Sequence, residues 1–459
     1  MTTSGGPADV FVPPRVIPPA APLPTWRFLP NFVANPIRTI PEPVYHADIF
    51  APPRFKGRIA WVTAPDLVER VLLRDSESFR KSDSEDRVFG PLLGGGLLTA
   101  EGDDWKWQRR LLAPLFRPAD LAAFVPEIRA AADALVARWR GGGDRTRAID
   151  ADMTDVTFDV LSRTLFRGAT ENEARILKHE TGRYLEGSSW EIAYEILRFR
   201  RGLWHPRRGQ MHAATARIKE TILGMVRRER ASGWESGGLA ARLGTARDPD
   251  TGAELSDALI TANLATFAAA GHETTAKALT WAIFLLARAP EWQEAIAAEV
   301  ASVTSGAPIE ARHVEQLRVT RQVIEEAMRL YPPAPVMTRQ VLSPITLGGH
   351  HFERDAMIII PVYVIHRHRK LWERPDAFEP ARFESSTSKT YARTQYMPFG
   401  FGPRICIGMS FAMIEAVVLL GTFVRSQKFF ADASLVPEPV SRVTLKARGG
   451  IPIIVSTRK

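Results

Sequence analysis

Cysteine is almost absent from this chain, because its 459 residues include only one, Cys406. A single thiol excludes an intrachain disulfide, a paired-cysteine redox motif and a cysteine-rich zinc cluster. Three interpretations remain, namely a metal-ligating thiolate, a nucleophile and an inert residue of the core. An unpaired cysteine also fits a reducing compartment, so we expect a cytoplasmic protein.

Long hydrophobic runs are lacking as well. The longest apolar stretches, residues 278–289 and 412–424, are too short to span a bilayer. Residues 1–43 are rich in proline and contain neither the basic nor the apolar region of a signal peptide. We therefore expect no leader and no membrane anchor. Apolar residues make up 45% and charged residues 24% of the chain, which is ordinary for a globular protein.

No nucleic-acid-binding module is evident, although the net charge is +9. Such a balance suits nucleic acid, an anionic membrane surface or an acidic protein partner. The densest basic run, residues 198–208, interleaves Phe199 and Trp204 with arginines. A solvated helix end and loop explains this run more simply than stacking on bases, and a rim that meets an acidic substrate is the alternative. We expect no nucleic-acid partner.

Apolar residues recur at helical spacing through most of the chain, so the sequence predicts a mainly α fold with a small β region. The clearest helical patterns cover residues 121–140, 217–230, 255–289 and 317–330. Strand patterns cover residues 58–62, 341–347, 356–364 and 451–456, the last as part of a closing hairpin. A stretch rich in glycine and charge, residues 232–251, predicts an exposed connection.

The most informative residues surround the cysteine. Cys406 lies in a glycine-rich loop of sequence FGFGPRICIG, which opens into an apolar helical pattern. Gly402 and Gly408 flank it, where a bulky flat cofactor needs the backbone to approach without Cβ atoms. Backbone N–H groups at the helix start and the cation of Arg404 stabilise a thiolate. These surroundings favour a ligating cysteine.

The spacing Phe-x-x-Gly-x-Arg-x-Cys-x-Gly resembles the haem-binding loop of the cytochrome P450 family, and every fixed position is filled. The resemblance implies that Cys406 is the axial thiolate ligand of the iron of haem b. It also implies that Phe399 packs beside the sulfur and that Arg404 pairs with a haem propionate. Gly400 and Gly408 complete the cofactor-binding loop.

A second motif lies in the sequence LATFAAAGHETTA. Its small residues let a bulky group pack on one helix face, and Gly271 and Thr274 loosen the helical hydrogen bonds. The stretch resembles the haem-facing helix of the same family, which places Ala270 and Gly271 against the cofactor. The resemblance assigns Thr274 to a hydrogen bond with bound O2 and Glu273 to proton relay through water. We interpret His272 as structural, because its side chain points about 100° away from Glu273.

Two further motifs resemble the family's. Glu326 and Arg329 share a helix face, and the resemblance joins them to Arg382 in a buried charge network that locks the cysteine loop without taking part in the chemistry. Trp105 and Arg109 lie one helical turn apart, so both can point at one anionic group. The family's Trp-x-x-x-Arg motif assigns this pair to a haem propionate.

Arg339 is a further propionate partner by the same resemblance, from a predicted strand. One departure is the sequence His-Arg-His-Arg at residues 366–369, where relatives often have His-Arg-Asp-Pro. We expect that turn to differ locally.

The resemblance also bears on domain organisation. Length alone predicts about three domains, whereas the motifs, which run from Trp105 to Gly408, depend on one another and imply one fold. We expect a proline-rich segment, residues 1–43, followed by a single haem-thiolate catalytic domain, residues 44–459. The expected architecture is the P450-like haem-binding fold.

The function implied by the resemblance is a monooxygenase that inserts one atom of O2 into an apolar organic substrate. Phe267, Ala270, Val336 and Met337 are the candidate pocket residues. An apolar cavity of this kind admits fatty acids, terpenoids, steroids or aromatic compounds without choosing among them.

The electron source is expected to be separate, because the sequence shows no flavin domain and too few cysteines for an iron–sulfur cluster. Electrons derived from NAD(P)H would arrive through a ferredoxin or flavodoxin with its reductase, and a basic protein suits such acidic partners. A peroxide-driven peroxygenase, a haem-thiolate reductase and a noncatalytic haem sensor are the alternatives. The intact Glu273–Thr274 pair favours the monooxygenase.

Overall fold

Helices dominate the structure of the protein, a computed structural model that describes residues 11–52, 57–196, 204–248, 250–384 and 391–458. The predicted mainly α fold with a small β region is confirmed. In chain order the helices are α1 Thr25–Ala34, α2 Pro65–Glu69, α3 Asp83–Leu93, α4 Gly102–Leu112, α5 Pro118–Leu121, α6 Val125–Gly141, α7 Ile149–Thr164, α8 Glu171–Ile196, α9 Arg208–Ala231, α10 Leu239–Thr245, α11 Asp257–Arg288, α12 Pro290–Thr304, α13 Arg318–Leu330, α14 Val362–Ile365 and α15 Met409–Ser426.

Short strands form small sheets at the edges of the helical body. They are β1 Ile49–Phe50, β2 Ile59–Val62, β3 Phe79–Arg80, β4 Arg145–Ala148, β5 Met337–Val341, β6 Ile345–Leu347, β7 His350–Phe352, β8 Met357–Ile360, β9 Gln427–Phe430, β10 Pro439–Ser441, β11 Leu445–Ala447 and β12 Pro452–Thr457. The largest sheet has the order β1-β2-β8-β5-β3, and a second has the order β4-β12-β9. Two hairpins, β6-β7 and β10-β11, complete the set in the described residues.

The long helix α11 is the centre of the fold. Ser256 caps its N-terminus, where the side chain accepts a hydrogen bond from the Leu259 N–H at 3.3 Å, and Pro290 begins the next helix directly after its end. Helices α3, α7, α9, α13 and α15 pack around α11. Near its C-terminal end, Trp281 stacks on Tyr331 with ring centroids 3.8 Å apart. The middle of α11 is therefore held rigidly inside the molecule.

Helix α15, which follows the cysteine loop, is strongly apolar. Within the described residues, it is the helix whose length and composition would suffice to cross a membrane. It is longer than the apolar stretch recognised in the sequence, and 61% of it is buried inside the protein. Packing against α6, α12 and α13 accounts for its apolar character.

The proline-rich segment lies against the catalytic body along its described part. The Val16 N–H donates to the Tyr363 hydroxyl at 3.1 Å, and the Tyr331 hydroxyl donates to the Pro14 carbonyl at 2.6 Å. Farther along, the Asn35 amide donates to the Pro439 carbonyl at 2.8 Å. The division at residue 43 stays a prediction.

The helical predictions were more accurate than the strand predictions. The patterns at residues 217–230, 255–289 and 317–330 correspond to α9, α11 and α13. Residues 121–140 contain the end of α5 and nearly all of α6, separated by a short turn.

Several local predictions were wrong, and proline or packing explains each. Residues 341–347 are not one strand, because a turn with Pro344 separates β5 from β6. Likewise, β8 ends at Ile360 because Pro361 has no N–H for the sheet. The last strand, β12, pairs with β4 and β9 rather than closing a hairpin with its neighbour in sequence.

The connection at residues 232–251 is not wholly exposed. It contains α10, whose Leu239 and Leu243 are buried in a core cluster with Leu264 of α11. From the basic run at residues 198–208, Arg198, Arg200 and Arg201 lie outside the described residues.

Candidate active site

The cysteine loop is closed by its own backbone. The Cys406 N–H donates to the Phe399 carbonyl at 2.9 Å, and the Ile405 N–H donates to the Gly402 carbonyl at 3.1 Å. Gly402 has φ +74°, and a Cβ there would lie 2.1 Å from the Leu72 carbonyl oxygen. Only glycine fits this position, so the sequence of the loop fixes where the thiol stands.

The Cys406 thiol lies in a recess. The residue is exposed, yet protein atoms surround it densely enough that burial raises the pKa of its thiol. The Gly408 N–H and the positive charge of Arg109 act in the opposite direction on this pKa. No group of three or more His, Cys, Asp or Glu side chains suited to a metal occurs in the described residues. A metal at Cys406 therefore needs other ligands, which a cofactor brings.

Cations gather beside this recess. The Arg404 guanidinium lies 4.1 Å from the centroid of the Trp105 ring, and its two terminal nitrogens donate to the Ala100 carbonyl at 2.7 Å and to Glu101 at 2.9 Å. Burial lowers the pKa of Arg404, and the nearby charge of Arg339 lowers it further, although Glu101 opposes the shift. Burial also lowers the pKa of Arg109 on α4.

Lys81 adds a cation that the sequence analysis missed. Burial lowers the pKa of its ammonium group, and the charges of Arg404 and Arg339 lower this pKa further, against Glu85. Half-buried like charges repel one another, so a group that carries carboxylates would be bound favourably here. The spacing in the sequence gives no sign of Lys81, since it precedes α3 and belongs to no motif.

One face of α11 carries small residues that are less buried than most of the helix. Ala270 is exposed and Gly271 and Thr274 are half-buried, although most of this central helix is buried. The Thr274 hydroxyl donates to the Ala270 carbonyl at 2.7 Å, and the Thr275 hydroxyl donates to the Gly271 carbonyl at 3.2 Å. Such bonds back to the helix loosen its backbone ladder. Neighbouring side chains therefore leave this face of small residues partly uncovered.

Glu273 does not point toward Thr274. Its carboxylate accepts a hydrogen bond from the Thr444 hydroxyl at 2.8 Å, at the tip of the β10-β11 hairpin. His272 is buried, its Nδ1 lies 2.7 Å from the Ala268 carbonyl, and its ring meets Phe158 edge to face. Burial lowers the pKa of His272, which agrees with the structural role inferred for this residue.

The predicted charge network is assembled in full. Arg329 donates to the Glu326 carboxylate at 2.6 and 2.8 Å, and both side chains have no solvent exposure. Arg382 lies 3.5 Å from the same carboxylate. Arg329 also donates to the carbonyls of His366 and Pro375 at 2.8 and 2.7 Å. The network ties α13 to the segment that leads toward the cysteine loop.

The apolar candidates lie on α11 and on the segment that precedes and begins β5. Phe267 meets Phe116 edge to face, with ring centroids 5.3 Å apart. Val336 and Met337 are half-buried, and the Met337 sulfur lies 3.5 Å from where a Cβ of Gly400 would be. The pocket segment and the cysteine loop are therefore in contact. Phe116, in a short turn after α4, was missed because it lies outside every motif.

Comparison with known protein families shows which family this chain belongs to. A family model described as Cytochrome P450 matches residues 55–447. The chain belongs to the cytochrome P450 family.

Individual P450 proteins are similar over most of their length. Cyclooctatin synthase of Streptomyces melanosporofaciens is 33% identical over 360 residues, which cover 78% of this chain and 77% of that protein. Cyclooctat-9-en-7-ol 5-monooxygenase of the same bacterium is 30% identical and covers 86% and 84%. Cytochrome P450 714B3 of Zea mays is 31% identical and covers 79% and 69%.

The fold comparison agrees. The crystal structure of the cytochrome P450DA heme domain matches with a TM-score of 0.83 at 24% identity, covering 97% of this chain and 99% of that chain. The predicted P450 fold is confirmed. Together with the family match and a relative named as a monooxygenase, this makes the chain a P450 monooxygenase that uses haem, O2 and electrons from a reductant.

The residues of the site suit a haem group. The sole thiol of the chain and the cations of Arg109, Arg339 and Arg404 match a metal-ligating sulfur and two carboxylates. The small-residue face of α11, where Ala270 is exposed, leaves room for a flat ring. A flat cofactor with an iron centre and an acidic edge satisfies both the lone thiol and the crowded cations.

Proposed function

We propose that this P450 inserts one atom of O2 into a bulky apolar organic substrate, a terpenoid-like alcohol or hydrocarbon being the first class to test. The observation that carries the proposal is the contact between the cysteine loop and the apolar segment of Val336 and Met337, where the Met337 sulfur lies 3.5 Å from the position of a Cβ on Gly400. The relative named cyclooctat-9-en-7-ol 5-monooxygenase supports this substrate class.

Each proposed role follows from a side chain's chemistry. Haem b, held through Cys406, would supply the activation of O2, and a thiolate ligand favours O–O cleavage. Arg109, Arg339 and Arg404 would bind its carboxylates and orient the ring, with Trp105 supporting Arg404 by stacking.

Two side chains of α11 would handle protons. The Thr274 hydroxyl, bonded here to the Ala270 carbonyl, would instead offer its hydrogen bond to O2. The Glu273 carboxyl would give a proton through water and recover one from solvent. Phe267, Val336 and Met337 would exclude other water and hold the substrate against the reactive centre.

Electrons would come from NAD(P)H through a ferredoxin or flavodoxin and its reductase, in the cytoplasm. The net charge of +9 suits an acidic partner. On α4, Lys106 is 64% exposed and directly follows Trp105, which stacks on Arg404. A partner docked at α4 would stand one helix away from the cofactor.

The test separates the proposed function from its alternatives. Purified haem protein is incubated with farnesol, geranylgeraniol, lauric acid, testosterone and naphthalene, and binding is measured by the shift in haem spin state. Product is then measured with NADPH, ferredoxin and reductase, and separately with hydrogen peroxide alone. Product that requires the reductase and O2 supports the monooxygenase. Product with peroxide alone indicates a peroxygenase, and no turnover in either system indicates a haem sensor.

A further inference from the structure

The acid of the proposed proton relay is held by a side chain from another part of the chain. Glu273 accepts a hydrogen bond from the Thr444 hydroxyl at 2.8 Å, and Thr444 is only 6% exposed. The Thr274 hydroxyl is meanwhile bonded to the Ala270 carbonyl of its own helix. The acid and the alcohol of α11 are thus engaged separately, in different directions.

Thr444 stands at the tip of the β10-β11 hairpin, whose strands are anchored on both sides. The Leu445 N–H donates to the Pro333 carbonyl at 3.0 Å, and the Trp281 indole N–H donates to the Leu445 carbonyl at 3.3 Å. The Ser441 N–H donates to the Asn35 side chain at 3.1 Å. The hairpin therefore has a defined position, from which its tip reaches α11.

The same anchors place the tip beside the substrate region. Pro333 precedes Val336 and Met337, which are half-buried next to the cysteine loop, and Trp281 lies on the helix that carries Glu273. The tip is thus wedged between two elements of the pocket wall. A bulky substrate that fills the pocket would press on residues 442–444.

Other charged groups lie near the Glu273 carboxylate and can interact with it in place of Thr444. Lys277 lies one turn farther along α11, where burial lowers the pKa of its ammonium group and the charge of Glu273 raises it. The charges of Lys446 on β11 and Asp150 on α7 also act on Lys277, and His272 senses both Glu273 and Lys277. Once released from Thr444, the carboxylate would remain among these charged groups.

We infer that Thr444 is a positioning residue for the proton relay: its hydroxyl holds Glu273 at the hairpin, away from Thr274, until substrate displaces the tip. Thr444 neither gives nor takes a proton in the reaction. The inference rests on the proposed function of Glu273 and Thr274. Its consequence is that proton delivery, and with it NADPH consumption, is restrained while the pocket lacks substrate.

The test compares Thr444→Val, which removes the hydroxyl at nearly constant volume, with Thr444→Ser, which keeps it. Thr422→Val is the matched control, because within the described residues the buried Thr422 hydroxyl bonds to its own helix, at the Val418 carbonyl 2.7 Å away. NADPH oxidation is measured with ferredoxin and reductase but without substrate. We expect Thr444→Val to raise this rate about three- to tenfold, as loss of one hydrogen bond allows, and the other two variants to match the parent.

A second measurement needs no turnover. Deuterium uptake by residues 439–447 is followed in the ferric haem protein, where Thr444→Val should speed exchange about three- to tenfold and Thr444→Ser should not. Deuterium exchange does not depend on monooxygenase activity. Failure of the inference about Thr444 can therefore be distinguished from failure of the proposed function. Thr444→Ala replaces Thr444→Val if the valine variant does not bind haem.

A double-variant comparison separates positioning from general disruption of the fold. In a Glu273→Gln background, where the acid is gone, Thr444→Val should add no further change in the NADPH oxidation rate. The inference is overturned if Thr444→Val leaves both the substrate-free rate and the exchange unchanged. It is also overturned if Thr444→Ser behaves like Thr444→Val, or if the effect persists without Glu273.

Discussion

Arg329 donates two hydrogen bonds to the carboxylate of Glu326, at 2.6 and 2.8 Å, and solvent reaches neither side chain. The same carboxylate accepts the Glu379 N–H at 2.8 Å, and Arg329 donates as well to three backbone carbonyls. All five N–H groups of the Arg329 guanidinium thus have an acceptor, and both oxygens of the Glu326 carboxylate accept hydrogen bonds. The pair acts as a clamp between α13 and the chain that precedes the cysteine loop.

Removing half of this clamp should be costly. Glu326→Ala would leave the Arg329 cation buried without its counterion, so we expect a loss of about 3–5 kcal/mol in the free energy of unfolding, together with loss of haem. Urea titration followed by far-ultraviolet circular dichroism measures the first effect, and haem absorbance measures the second.

Arg163→Ala is the control for that experiment. Arg163 and Asp159 form an i,i+4 pair with side chains 42% and 38% exposed, and exposed pairs contribute about 0–1 kcal/mol. Equal destabilisation by the two variants would show that the buried pair is not a clamp.

His366 should make stability depend on pH. Burial, with the nearby charge of Arg329, lowers the pKa of its imidazole from 6.5 to about 3. Its Nε2 accepts the Met397 N–H at 3.0 Å, and its Nδ1 lies 3.2 Å from the Arg329 carbonyl, as suits a neutral ring. The unfolded chain binds a proton at His366 below pH 6.5, whereas the folded protein does not. The free energy of unfolding should therefore decrease as the pH is lowered from 6.5 to 3, by about 1.4 kcal/mol per pH unit.

His366→Gln removes the titrating group and tests this dependence. Urea titrations at pH 7, 6, 5 and 4.5 measure the free energy of unfolding of the parent and of the variant. The value for the parent minus that for the variant should decrease by about 1.4 kcal/mol for each pH unit below 6. Parallel pH dependences of the two proteins would mean that His366 is not held neutral in the folded state.

Thr274→Ala should separate oxygen consumption from product formation. The substitution removes a hydroxyl that, within the described residues, bonds to the Ala270 carbonyl of its own helix, so haem content and the substrate-induced spin shift should persist. NADPH oxidation should continue with most of the flux diverted to hydrogen peroxide, because the hydroxyl that holds bound O2 is lost. Product and peroxide are measured against NADPH consumed, with Thr280→Ala on the buried side of α11 as the control. Tight coupling in Thr274→Ala would contradict the proposed role.

Much of the site could be predicted because its residues keep fixed spacings within one element. Glu326 and Arg329 share a helix face, Trp105 and Arg109 lie one turn apart, and the cysteine loop is contiguous. Each spacing sets a geometry that secondary structure then preserves. The sequence could therefore place these pairs before any fold was known.

The partners that act on those residues could not be found in this way. Thr444 is 171 positions from Glu273 in the sequence, and Phe116 and Lys81 belong to no motif. Their contacts depend on how separate elements pack together, namely the hairpin, the turn after α4 and the sheet edge against α11 and the cysteine loop. The spacing of residues along the sequence does not predict such packing. Helix α10 was not predicted for the same reason, because its buried leucines lie within a stretch rich in glycine and charged residues.

Thiolate ligation by Cys406 is the central claim, and the reduced carbon monoxide complex tests it most directly. The chain has one thiol, so Cys406→Ser removes every possible thiolate ligand in a single change. We predict that the reduced carbon monoxide complex of the parent protein shows the red-shifted Soret band typical of thiolate-ligated haem, and that Cys406→Ser does not. Persistence of that band in Cys406→Ser, or its absence from the parent protein, would contradict the account.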